Sequence, residues 1–262
     1  MASAISGRLT WIILSYCMQP TVLITRPTVA ALETAKAWQL AGFKTAITPL
    51  LEVDFMPITL PPIRNYQAII TTSAMAVRAL ARLTPCRTLA LWCVGDASKT
   101  VAKDLGFQAV FSPPGQKESA VSLANTLSQE INPNKGPLLY CRGAIINVNL
   151  AAVLACHNLQ MDEVVVYQTL PNHKTWPTLE RLLKDIETGG ISFYSARTAH
   201  IFSQFANQSQ FVQGRSGCYP LALSSAIACK VQPFFTSLPI IRSTTLALIA
   251  TLKEQLSYAQ GR

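Results

Sequence analysis

The chain has 262 residues, half of them apolar, with 22 Lys and Arg against 13 Asp and Glu and a formal net charge of +9. That length allows one large domain or two of ordinary size. Mean hydropathy is high at +0.28, but no stretch approaches the roughly 18–20 apolar residues of a membrane span. The basic residues are scattered with no two adjacent, unlike the patches of nucleic-acid binders, so no membrane and no nucleic acid is expected as partner.

The apolar run at residues 9–18 is interrupted by Thr10 and Ser15 and has no small-residue cleavage site behind it, which argues against a signal peptide. Residues 1–20 are read as a disordered or dispensable extension. Seven cysteines (Cys17, Cys86, Cys93, Cys141, Cys156, Cys218, Cys229) are odd in number and none stand in CxxC spacing. Reduced thiols in a cytoplasmic protein are expected, rather than disulfides or zinc. His157, His173 and His200 form no metal-ligand spacing, so no metal is expected. Between Glu187 and Glu254 there is no acidic residue, while Arg197, Arg215, Lys230, Arg242 and Lys253 fall in that interval. A positive field over that half favours a polyanionic small molecule.

In chain order, residues 21–25 read as a strand. Thr28 is placed to cap the next helix, Ala31, Ala35, Trp38 and Leu40 form its apolar stripe, and Gly42 stops it. A second strand spans about 44–55, broken near Pro49, and Pro57, Pro61 and Pro62 mark a boundary. A regular alternation follows. Strand 67–72 leads to helix 74–83, and strand 88–94 to helix 96–105. A short strand at 110–111 and a Pro-Pro-Gly loop lead to helix 119–129. Strand 137–141 is followed by a helix to about 156, then by strand 161–169, which Pro171 closes. Beyond it come helix 178–186, strand 191–194, helix 198–205, strand 218–223 and a helix to 231. A short strand at Phe234-Phe235 and a last helix at 243–256 end the pattern. Strands alternating with helices imply right-handed βαβ units on parallel sheets.

Two portions of this pattern resemble each other. In one, a strand ending in Ser73 and a strand ending in Gly95 each run into a helix; in the other, the strand ends are Ser195 and Ser224. The second copy lacks strands for a full sheet, so the first strand and helix are assigned to it. Domain 1 is then discontinuous, residues 21–47 plus 172–258. Domain 2, residues 58–163, is inserted, and residues 48–57 and 164–171 carry the chain across.

Ligands of open parallel sheets bind at the carboxyl ends of the strands. Here those ends carry Thr25-Arg26, Ser73, Gly95, Arg142-Gly143, Ser195 and Ser224-Ser225. Small residues admit close backbone approach, and helix N-termini favour anions. The same serines could act purely as helix caps, worth about 1 kcal/mol each. Their repetition in both halves favours a site in an interdomain cleft. Nucleotide motifs are absent: there is no GxGxxG, residues 95–100 lack the glycine directly before the lysine of a P-loop, and there is no GxSxG elbow. Asp96 is the one carboxylate in a strand-to-helix turn and is read as a helix cap.

Five pieces in order carry a family resemblance. They are Val22-Leu23-Ile24-Thr25-Arg26-Pro27; Ile69-Ile70-Thr71-Thr72-Ser73 with Ala76-Val77; Val94-Gly95-Asp96-Ala97-Ser98; Leu139-Tyr140-Cys141-Arg142-Gly143; and Val164-Val165-Val166-Tyr167-Gln168-Thr169. The chain resembles the uroporphyrinogen-III synthase family from about residue 21 to residue 255. The resemblance implies an α/β protein of two flavodoxin- or Rossmann-like three-layer domains with parallel sheets, joined by a two-stranded β-ladder linker. It implies a cytoplasmic, monomeric lyase without cofactor. That enzyme closes hydroxymethylbilane, a linear tetrapyrrole with eight carboxylates, to uroporphyrinogen III, inverting ring D and losing water.

By the same resemblance Tyr167 is the candidate general acid for the departing hydroxyl; a phenol with an ordinary pKa of about 10 keeps its proton at neutral pH. Arg26, Ser73, Ala74, Gly95, Ser98, Arg142, Gly143, Ser195, Ala196, Ser224 and Ser225 are the candidate substrate-binding residues. Ser98 stands where the family usually has threonine. Departures are Ile145 and Ile146 in place of a basic pair, and Ser224-Ser225-Ala226-Ile227-Ala228 in place of a Gly-Pro-Thr-Thr-Ala pattern. The alternatives are a regulatory relative that binds a polyanionic tetrapyrrole without turnover, and a hinged two-domain binding protein, which needs a signal peptide.

Overall fold

The computed structural model describes residues 19–113, 120–146, 148–209 and 217–260. The expected extension apart from Gln19 and Pro20, Cys17, Ser119, Arg215 and most of the Pro-Pro-Gly loop lie outside the described residues.

The described elements begin with β1 (Thr21–Ile24), α1 (Thr28–Leu40), β2 (Lys44–Ile47), β3 (Leu51–Phe55), β4 (Ala68–Thr71) and α2 (Ala74–Leu83). Next come β5 (Ala90–Cys93), α3 (Asp96–Asp104), β6 (Val110–Phe111), α4 (Ala120–Glu130), β7 (Leu138–Gly143), α5 (Leu150–Ala155) and β8 (Met161–Pro171). The last third holds α6 (Trp176–Asp185), β9 (Gly189–Phe193), α7 (Ala196–Gln208), β10 (Cys218–Ala222), α8 (Ser225–Val231), β11 (Ile240–Ile241) and α9 (Thr245–Gln260). The chain divides into two compact units, Met1–Glu52 with Leu170–Arg262, and Val53–Thr169.

The sheet of the first unit has the order β11-β10-β9-β1-β2 and is parallel throughout. Both its faces are covered. Leu23 of β1 packs into one core with Phe193 and Phe202, while Val22 and Ile24 pack into the other with Trp38 and Leu248. Successive strand residues point to opposite faces, so a near-continuous apolar strand is what a twice-covered parallel sheet demands. Fully buried Phe193, Phe202 and Phe205 each contribute about 1.5–3 kcal/mol. Gly189 opens β9 with φ +145°, and a Cβ there would lie 1.9 Å from the Thr21 carbonyl oxygen. Glycine is therefore required for β9 to lie against β1. Pro220 sits inside β10, yet its neighbour β11 begins only opposite Leu221, so its missing N–H leaves no gap in that ladder.

The six-stranded sheet of the second unit has the order β3-β8-β7-β4-β5-β6, with parallel pairing from β8 through β6. Here too the alternation splits between two cores. Ile69, Leu139 and Cys141 face α2, while Ala68, Ile70, Leu138 and Tyr140 face α4 and α5. The edge strand β3 lies beside β8, with Met56 N donating to Val166 O (3.0 Å) and Gln168 Nε2 to Asp54 Oδ2 (2.9 Å).

The structure departs from expectation at several places. Leu40 is 90% exposed, and the buried face of α1 is Ala31, Thr34, Ala35 and Trp38; Leu40 lies roughly 200° around the helix from Trp38. Thr28 is the first helical residue, not the cap, which is Pro27. Asp96 likewise begins α3, with Gly95 at the cap. The interrupted strand at 44–55 is two strands in different sheets, β2 beside β1 and β3 beside β8. Phe234 closes a 3₁₀ turn, Gln232–Phe234, and the short edge strand is β11 instead. Two consecutive phenylalanines suggest a strand, but Pro233 leads them into a turn and both rings pack on Phe202, at 6.1 and 5.6 Å.

Candidate functional site

The carboxyl end of β4 runs through Thr72 and Ser73 into α2. Ser73 is the N-cap, its Oγ accepting the Ala76 N–H at 3.1 Å. The same Oγ lies 3.0 Å from the Tyr167 hydroxyl of β8. The Tyr167 ring lies directly over Gly143, the last residue of β7. Three residues from three separate motifs, Ser73, Gly143 and Tyr167, thus meet at one corner of the second unit. Ala74 is half-buried at the first position of α2.

Arg142 donates from Nε to Glu163 Oε2 at 2.6 Å and from Nη1 to the Gly143 carbonyl at 3.0 Å. Its charge is offset by a carboxylate, so it is a weaker anion receptor than the sequence suggests. Gly95 is buried, holds the N-cap of α3 at φ +83°, and leaves the cap without a side-chain acceptor. Ser98 is only 4% exposed and lies on the buried side of α3. Lys99 reaches from α3 to Ser112 Oγ at 3.3 Å.

In the first unit, Arg26 at the end of β1 stacks over the Tyr194 ring (4.6 Å) and donates to Thr34 Oγ1 (3.0 Å). The Tyr194 hydroxyl accepts from Thr245 Oγ1 at 3.3 Å. Ser195 caps α7 through the Thr198 N–H (3.1 Å) and also bonds Thr198 Oγ1 (2.8 Å), with exposed Ala196 beginning the helix. Ser224 caps α8 at a longer 3.4 Å, and both Ser224 and Ser225 are exposed. Arg26, Tyr194 and Ser195 gather at neighbouring strand ends; Ser224 and Ser225 follow the next strand, β10.

Sequence reasoning passed over Tyr140, Tyr194 and Glu163. Tyr140 is 3% exposed and shares a hydrogen bond with Thr72 Oγ1 at 2.9 Å. Burial pushes its phenol above the ordinary range, against the Thr72 bond, which lowers it. Tyr140 and Tyr194 each stand within two residues of a chosen strand-end residue, so a wider window would have found them. Glu163 gave no signal, because it lies early in β8 and reaches Arg142 from the next strand. Among the described residues no group of three or more His, Cys, Asp or Glu is placed to hold a metal, and no helix is long and apolar enough to cross a membrane.

The fold and these strand-end sites define a doubly wound α/β protein of two units, a class that takes ligands at the carboxyl edge of its strands. The family described as uroporphyrinogen-III synthase HemD matches residues 33–232, and the chain belongs to that family. Membership implies an enzyme of porphyrin biosynthesis that performs a lyase-type cyclisation. The fold is similar to that of uroporphyrinogen-III synthetase from Helicobacter pylori 26695, with a TM-score of 0.62 and 17% identity over 91% of this chain and 100% of that one. It is also similar to a mutant uroporphyrinogen III synthase from the extremely thermophilic bacterium Thermus thermophilus, with a TM-score of 0.50 and 13% identity over 93% of this chain and 100% of that one. No curated protein matches the sequence.

Proposed function

We propose that this chain cyclises hydroxymethylbilane to uroporphyrinogen III with inversion of ring D and loss of water, as a cytoplasmic monomer without a cofactor. Tyr167 is the general acid. The C–O bond of the hydroxymethyl group breaks with its electron pair on oxygen, and the phenol proton completes the departing water. A proton released as the macrocycle closes restores the phenol. Family membership, with Tyr167 held by Ser73 at a strand-end corner, is the observation that carries this reading.

The other candidates serve a flexible octa-anion. Backbone N–H groups at the caps Gly95, Ser195 and Ser224, the hydroxyl of Ser225, and the guanidiniums of Arg26 and Arg142 supply donors for carboxylates. Ala74 and Ala196, each first in its helix, carry side chains too small to cover the backbone there. Ser98, only 4% exposed in α3, offers a substrate little surface.

The test generates hydroxymethylbilane in situ, adds the protein, oxidises the products and separates the porphyrin isomers. Type III product is expected, and type I product alone overturns the enzyme reading. Tyr167→Phe is expected to lower kcat by at least about tenfold; an unchanged rate removes the acid role from Tyr167 and leaves the reaction standing. Binding of hydroxymethylbilane without type III product would mark the chain as a tetrapyrrole binder. The exposed Ile145 and Ile146, where the family carries a basic pair, favour that second reading.

A further inference from the structure

Strand β8 does not keep its alternation. Arg142 pairs with Val165, but Gly143 pairs with Tyr167, so Val166 is an extra residue opposite the step between them. A regular strand would send Val166 and Tyr167 to opposite faces. Across this bulge both pack on the same core, with Val164 beside them. Beyond it the ladder is resumed by Ala144 N donating to Tyr167 O at 2.9 Å. A bulge that re-aims one side chain is a recurrent device near active sites.

The re-aimed ring then meets a residue that has no side chain. A Cβ on Gly143 would lie 2.7 Å from Tyr167 Cζ, 2.9 Å from its hydroxyl oxygen and 3.0 Å from Cε1. Gly143 is not among the glycines with positive φ, so its backbone would accept any residue. The ring, not the backbone, excludes a side chain there. Ser73 fixes the far end of the phenol at 3.0 Å, and its own position is set by the Ala76 N–H. A serine Oγ has one proton and two lone pairs. With one lone pair taken by Ala76, Ser73 can donate its proton to the phenol oxygen and leave the phenol proton free for a ligand.

We infer that Gly143 and Ser73 are positioning residues that seat the Tyr167 phenol, Gly143 as the floor under the ring and Ser73 as the donor that orients its hydroxyl. This rests on the reading of Tyr167 as the acid. It moves Gly143 and Ser73 from substrate contacts to residues that act through the phenol.

The experiment uses the full chain with Ser73→Gly and Gly143→Ala, each in the native and the Tyr167→Phe background. Glycine is tolerated as an N-cap, so Ser73→Gly removes the phenol partner while keeping the helix start. Each single variant is expected to lower kcat about tenfold or more with KM within about twofold. In the Tyr167→Phe background Ser73→Gly should cost less than about twofold, because no hydroxyl remains to orient. A loss that multiplies in full in that background overturns the inference, since Ser73 would then act on substrate directly.

A second readout needs no activity. With fluorotyrosine at position 167, the fluorine resonance of the ligand-free protein should move in both variants, and an unchanged resonance overturns the seat. A moved resonance together with a fully active Tyr167→Phe protein upholds the seat and removes the acid role from Tyr167.

Discussion

At Tyr66 burial and chemistry combine in a way that pH can read. Burial first, and then the hydrogen bond to Asp162 Oδ2 at 2.7 Å, push its phenol up to about 12. Burial alone pushes the Cys141 thiol up to about 12. Both groups hold their protons more tightly folded than unfolded, where they titrate near 10 and near 9. Their stabilisation is therefore complete below pH 9 and is lost as pH rises towards 12. The urea midpoint of the protein should fall progressively between pH 9 and pH 12, and Tyr66→Phe should flatten the part of that slope above about pH 10. Gly189 offers a sharper residue-scale test. Its positive φ and the Thr21 carbonyl in its side-chain position predict that Gly189→Ala destabilises the protein by more than about 2 kcal/mol, read as a lower urea midpoint. Of the candidate site, Ser73 was legible as a strand-end residue running into a helix, and Tyr167 through the family resemblance of its strand. The sequence could not show that Gly143 lies under Tyr167, because that contact depends on a register shift that leaves no mark in composition.

Elements were legible wherever an apolar strand ran into a helix through a small residue. Helix α2 was placed on its observed bounds because Ser73, its cap, announces it. Three caps of this kind recur, Ser73, Ser195 and Ser224, each accepting the backbone N–H three residues on. Replacing Ser195 with alanine should cost about 1 kcal/mol and with glycine only a few tenths, measured by urea unfolding. An equal cost for the two would mean that the lost Thr198 side-chain bond, not the cap, dominates. The misread elements share a cause. Phe234 and Phe235 have the composition of a strand, but their rings are taken up by the Phe202 cluster. Residues 44–55 have the composition of one strand, but β2 and β3 answer to different sheets. Composition reports that a segment is buried and extended; it does not report against what.

For the molecule as a whole, the excess of basic over acidic residues predicts salt-sensitive capture of an anionic substrate. Raising ionic strength from about 0.05 M to about 0.5 M should raise KM for hydroxymethylbilane severalfold and leave kcat nearly unchanged. A KM indifferent to salt would assign recognition to the backbone and hydroxyl donors alone. The first unit is discontinuous, and β1 supplies a strand that pairs with β9 from the last third of the chain. The second unit is one continuous segment, Val53–Thr169, and the six-stranded sheet is built from strands between residues 51 and 171. A fragment of residues 50–172 is expected to unfold in a single cooperative urea transition, while a fragment ending at residue 52 should show none.

The neighbouring strands β3 and β8 have a kinetic consequence. The bond from Asn172 N to Leu50 O, at 2.9 Å, brings together the two points where the chain leaves and re-enters the first unit. The first unit must close contacts such as Thr25 Oγ1 to Ser192 O across 167 positions of sequence, a long loop whose entropy opposes early pairing. Once the inserted segment has folded and drawn its ends together, that loop is short in effect. The topology therefore predicts that the inner segment folds before the outer. In refolding experiments, probes on β4 and β7 should gain amide protection before probes on β1 and β9.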